Sequence, residues 1–113
     1  MIELVICNND GMAEGVIASL QEKGYNVAGA HVVPVFGVDA TDNAKALIAD
    51  GAMTGTVKQD AEGMAAAIAQ TAKAVNEGKT PVAALAGLSD ARFTIAGDCA
   101  GKLFVAYAPY TGE

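Results

Sequence analysis

Apolar positions along the chain follow two alternating patterns. Ile2–Cys7, His31–Ala40 and Met53–Lys58 are short, nearly continuous apolar runs. Runs of that kind fit strands buried in a parallel sheet. Between and after them, apolar residues recur at helical spacing. Met12, Val16, Ile17 and Leu20 mark a helix over about Gly11–Lys23, with Asp10 as its expected N-cap and Gly24 as its stop. Ala44, Leu47 and Ile48 mark a second over about Asn43–Asp50, capped by Thr41 or Asp42 and stopped by Gly51. Met64, Ala67, Ile68, Ala72 and Val75 give the inner face of the longest, about Ala61–Glu77, opened by Asp60 and stopped by Gly78. The order βαβαβα predicts an α/β fold, a mainly parallel sheet with right-handed crossovers. Pro81–Asp90 reads as a loop or short turn. Arg92–Ala96 and Lys102–Ala108, flanking Gly97 and Gly101, read as a C-terminal β-hairpin or final strand pair.

Each apolar run ends in polar residues. The first leads into Asn8, Asn9 and Asp10, the central one into Asp39, and the third into Gln59 and Asp60. Parallel strands carry such groups to one sheet edge, where open α/β sheets hold their ligands. A carboxylate accepts from two neighbouring hydroxyls, and an amide both donates and accepts, which suits a polyol or sugar. Each residue also has a plainer reading. Asp39 serves equally as an N-cap for the helix that follows, and spacing alone slightly favours that role. The Asn8–Asp10 cluster serves as cap and turn, and Asp60 as a cap that leaves Gln59 free to reach a ligand. Glu3 reads as a solvated residue, the single histidine, His31, as surface structure, and the aromatics as core or strand-face residues.

With 113 residues the chain fits one α/β unit. Its net charge of −6, with scattered single Lys and Arg, argues against nucleic acid as a partner. No apolar run reaches the length of a membrane span. Met1 leads straight into the first strand without a basic stretch, so no export signal is expected in this chain. Cys7 and Cys99 have no metal-ligand spacing; Cys7 reads as a buried thiol and Cys99 as a turn residue. There is no nucleophile elbow, phosphate loop or zinc spacing, so an enzyme is not expected and no cofactor is required. A thin three-stranded sheet with open edges points to part of a larger protein.

The segments IELVICNNDGMAEGVIASL, VPVFGVDATDNAKALIADGAMTGTVKQDAEGMAAAIAQTAKAVNEG and LFVAYAPYTGE resemble the C-terminal part of the galactose/glucose-binding periplasmic proteins. These are solute-binding subunits of sugar ABC transporters with the type I periplasmic-binding-protein fold. The resemblance implies a three-layer sandwich, a Rossmann-like half of a two-lobe protein that holds a monosaccharide in the interlobe cleft. Residues 1–58 would belong to the C-terminal lobe, 60–78 to a helix packing on the other lobe, and 92–113 to the terminal strands. Sugar contacts carry over to Asn9, Asp39 and Gln59. The galactose branch has Asn at the last of these, and Gln59 is closer to the ribose branch. Glu3 matches a glutamate that completes a calcium site in the intact protein. The implied partners are the missing N-terminal lobe and an ABC permease, with the parent in the periplasm or at the extracellular face. The helix that lost its partner lobe predicts a homo-oligomer of this chain. Two other readings share parts of the pattern: the effector-sensing domain of a sugar-responsive repressor, and a small flavodoxin- or receiver-like domain using Asp39.

Overall fold

The computed structural model describes residues 2–99 and 101–112. Met1, Ala100 in the expected turn between Gly97 and Gly101, and Glu113 at the end of the expected terminal strands lie outside the described residues. The chain divides into two compact units. One comprises Met1–Gln59 with Ala108–Glu113, the other Asp60–Tyr107.

In the first unit, β1 (Val5–Ile6), β2 (Val35–Asp39) and β3 (Gly55–Lys58) run parallel in that order, and a last strand, Ala108–Tyr110, pairs antiparallel with β3. Helices α1 (Asp10–Glu22) and α2 (Asp42–Ala49) make the crossovers. The strand order never reverses, so right-handed crossovers put both helices on one face. Helix α1 packs on β2, α2 on β3, and the two helices touch. Their shared core is Cys7, Ala13, Ile17, Val35, Ala44, Ile48, Ala52 and Met53. Side chains alternate along a strand, so Ile6, between Val5 and Cys7, points to the other face, where it is 75% exposed. The mainly parallel sheet is the expected one. Met12, expected on the inner face of α1, is instead exposed.

All three parallel strands are shorter than their apolar runs. Pro34 has no N–H to offer a neighbour, and its carbonyl takes the Val5 amide at 2.9 Å as the ladder begins. Ahead of it, the backbone of Val33 is claimed by a side chain. Asn26 Nδ2 donates to Val33 O at 2.8 Å and to Ala52 O at 2.9 Å, and its Oδ1 accepts from Val33 N at 2.8 Å. Asn26 is 2% exposed at φ 51°, a left-handed conformation that asparagine tolerates better than most residues. It pins the loop after α1 to the segments entering β2 and β3.

The second unit holds α3 (Ala61–Asn76), α4 (Pro81–Ala86) and a hairpin of β4 (Phe93–Ile95) with β5 (Leu103–Val105). The strand Ala108–Tyr110 of the first unit is β6. Helix α4 replaces the expected loop. Thr80 accepts from Ala83 N and Pro81 occupies the first turn, where its missing N–H costs nothing. The expected hairpin forms, but the second expected strand ends at Val105. The chain then re-enters strand geometry at Ala108 despite Pro109, which an edge strand accommodates. The inner face of α3 is also shifted. Gly63 and Ala67 are its buried residues, whereas Ile68 is 70% exposed and Val75 is exposed as well. Met64, Ala67, Ile68, Leu85, Leu103 and Val105 line an open apolar groove of about 490 Å³. Among the described residues, no helix is long and apolar enough to cross a membrane.

Candidate functional site

Because β1, β2 and β3 are parallel neighbours, their carboxyl ends lie along one edge of the sheet. Asn9 follows β1, Asp39 ends β2 and Gln59 follows β3, so the fold brings the three expected residues to that edge. Asn9 is the N-cap of α1. Its Oδ1 accepts from Met12 N at 2.9 Å, which leaves its Nδ2 without a protein acceptor among the described residues. This replaces Asp10, the expected cap.

Asp39 is not a cap. Thr41 takes that role for α2, accepting from Ala44 N at 3.2 Å. The Asp39 carboxylate is exposed and accepts from Gln59 Nε2 at 2.7 Å. The pair follows from register, since Asp39 stands opposite Lys58 and Gln59 is the next residue. Asp39 has φ 119° and Ala40 φ 57°, two successive non-glycine residues at positive φ. Such a backbone costs on the order of 1–3 kcal/mol per residue, and it collects where a site needs side chains in a fixed direction. An acceptor oxygen of Asp39 and the carbonyl oxygen of Gln59 remain open to a donor, and the Asn9 amide remains open to an acceptor. That set matches vicinal hydroxyls, which donate and accept at once.

Asp10, expected as a cap, has a different place in the structure. It is fully buried at the start of α1, where the helix dipole favours an anion. Its Oδ1 accepts from the Thr56 hydroxyl at 2.6 Å and its Oδ2 from Thr41 N at 2.8 Å. Gly37 makes room for it, because a Cβ there would collide with Asp10 Oδ1 and Cα. The signal available beforehand was a glycine inside an apolar strand, which marks a close approach by another group.

Glu3 is exposed, and among the described residues no group of three or more His, Cys, Asp or Glu is placed to hold a metal. Cys7 is buried and Cys99 exposed, both as free thiols. His31 is exposed, with the Tyr25 ring edge-on at 6.2 Å, in agreement with a surface role. Of the aromatics expected in the core or on strand faces, Phe104 lies in β5 as an exposed strand residue, whereas Tyr107 is exposed between β5 and β6.

In the second unit Asp60 caps α3 as expected, accepting from Gly63 N at 2.9 Å. Arg92 reaches Asp60 at 3.2 Å and Asp90 at 2.7 Å. Hydrogen bonds from the Arg92 side chain, and then from its backbone amide, hold the Asp90 carboxyl down at about 2. The Asp90 hydrogen bond raises the Arg92 guanidinium above its already high value.

Known proteins are similar to this chain in sequence. The family described as periplasmic binding protein domain matches residues 2–80, a stretch that includes Asn9, Asp39 and Gln59. The chain is 37% identical over 79 residues to the D-galactose/methyl-galactoside binding periplasmic protein MglB of Haemophilus influenzae. That alignment covers 70% of this chain and 22% of the relative, so the chain spans about a fifth of that protein's length. With most of its length matched, and a parallel sheet whose strand ends carry the expected polar residues, the chain belongs to the periplasmic binding protein family.

Proposed function

We propose that this chain is part of a sugar-binding subunit of an ABC transporter, and that Asn9, Asp39 and Gln59 hydrogen-bond the hydroxyls of a galactose- or glucose-like monosaccharide. The observation that carries the reading is the Asp39–Gln59 pair, 2.7 Å apart at the exposed strand ends and held there by a strained backbone. The similarity to a galactoside-binding protein supports the choice of sugar. Periplasmic binding proteins bind solutes and do not transform them, and this member of the family is a binding protein, not an enzyme.

In the parent protein a second lobe closes over the sugar, and the closed form is presented to a permease in the periplasm. The open face around Ile6 and the exposed Ile68 are surfaces for that remainder to cover. Without it, copies of this chain associate, and sedimentation of the sugar-free sample reads that state. One open wall gives few contacts and no enclosure, so the chain by itself binds weakly, with Kd of about 1 mM or above.

Titrating D-galactose, D-glucose and D-ribose into the ¹⁵N-labelled chain tests this. The expected result is fast-exchange shifts confined to Asn9, Asp39, Gln59 and their neighbours. Shifts elsewhere, or none at saturating sugar, refute the site. Binding at micromolar Kd or tighter refutes the two-lobe account.

A further inference from the structure

We infer that Asp10 is a positioning residue for the Asp39–Gln59 pair, acting through Thr56 and the Ala40–Thr41 turn. This rests on the reading of that pair as the ligand-facing groups.

The amide directly after Asp39 belongs to Ala40 and donates to Thr56 Oγ1 at 3.4 Å. The next amide, of Thr41, donates to Asp10 Oδ2 at 2.8 Å. The Thr56 hydroxyl donates its own proton to Asp10 Oδ1 at 2.6 Å. One buried carboxylate thus holds both amides of the turn, one directly and the other through a hydroxyl. The held segment is the one at φ 119° and 57°. A backbone with those angles relaxes unless its surroundings over-determine it. Relaxation at Asp39 rotates Cβ about the N–Cα bond and carries the carboxylate away from Gln59 Nε2.

The arrangement exceeds what packing alone requires. Asn9 already caps α1, so Asp10 is not needed for that task. Asp10 has no Lys or Arg partner among the described residues; its neighbours are neutral donors. A buried anion hydrogen-bonded only to neutral groups fixes directions strongly, because bonds to a charged acceptor are short and stiff. It also makes the Ala40 half of the hold depend on a single hydroxyl, that of Thr56.

The experiment reads the side-chain NH₂ pair of Gln59 in the ¹H–¹⁵N spectrum of the labelled chain, without sugar. Asp39→Ala marks the position of the unpaired amide. Thr56→Val keeps the shape of the side chain and deletes the hydroxyl, and Thr56→Ser keeps the hydroxyl and deletes the methyl. The expected result is that Thr56→Val moves the Gln59 signals most of the way to the Asp39→Ala position, and that Thr56→Ser leaves them near wild type even where it lowers the melting temperature. Gln59 signals unmoved in Thr56→Val, or moved equally by both variants, overturn the inference. Should Thr56→Val give an undispersed spectrum, Asp10→Asn supplies the comparison. It keeps an oxygen for Thr41 N and sets an NH₂ against the Thr56 oxygen, and a smaller shift in the same direction is expected; no shift overturns the inference. Because no sugar is present, failure here is distinct from failure of the sugar titration.

Discussion

Asn26→Ala removes the side chain that joins three segments of the first unit. Three hydrogen bonds go, and Val33 N, Val33 O and Ala52 O lose their partner in a buried setting. Each stranded buried group costs about 1–3 kcal/mol, reduced where water reaches it, and alanine at φ 51° adds about 1 kcal/mol. The expected loss is about 3–6 kcal/mol, a large part of the 5–15 kcal/mol typical of a whole domain. Urea unfolding followed by circular dichroism measures it. Asn26→Gly loses the same bonds but tolerates the backbone, so it is expected to be about 1 kcal/mol less damaging than Asn26→Ala. Asn26→Asp has the same shape but turns an acceptor toward two carbonyls, and is expected to be at least as severe as alanine. A loss below about 1 kcal/mol for Asn26→Ala, or a Gly variant as stable as wild type, refutes the account of Asn26 as the staple of this unit.

Arg92→Gln is expected to raise the Asp90 pKa from about 2 toward its ordinary 3.8, short of full recovery because the backbone amide of residue 92 still donates. A ¹³C carboxyl titration reads this directly. The sign follows from a carboxyl held low in the folded state. Its contribution is present above pH 3.8 and is lost as pH falls toward 2, so the variant differs from wild type least in strong acid. An unmoved midpoint refutes Arg92 as the main cause. Asp39→Gly is expected to raise the urea midpoint by the equivalent of about 1–2 kcal/mol while abolishing the Gln59 pair, since glycine meets φ 119° without strain. A lower midpoint would show that the turn is not strained.

Periodicity served well where burial was continuous and failed where a side chain or a proline intervened. The three parallel strands and the two crossover helices were legible because each carries apolar residues at the spacing its element requires, such as Ile17 with Leu20 in α1 and Ala44 with Ile48 in α2. The front of the central strand was not, because Asn26 takes over the hydrogen bonds of Val33, and no local pattern announces a partner seven residues away. Helix α4 was hidden by Pro81, which reads as a breaker until Thr80 is recognised as its cap. The inner face of α3 was misjudged for a different reason. Ile68 and Val75 follow the helical period but are exposed, since periodicity marks an apolar stripe and not what covers it.

The candidate site residues were legible as strand ends, and what the sequence hid was why Asp39 is exposed at all. Val35 and Gly37 face the helix side of β2, where Val35 is buried and Gly37 abuts Asp10. Side chains alternate along a strand, so regular dihedrals would place Asp39 on that same face, next to a buried carboxylate. That face is already crowded, since even a Cβ on Gly37 would meet Asp10 Oδ1. The positive φ of Asp39 resolves the conflict by turning its carboxylate outward to Gln59 Nε2, and Asp10 holds the turn that does so. Strain, burial and exposure at this edge are therefore one arrangement. The buried acid lies against Gly37 on the face that regular alternation would give Asp39, and the strained turn puts Asp39 where a hydroxyl can reach it.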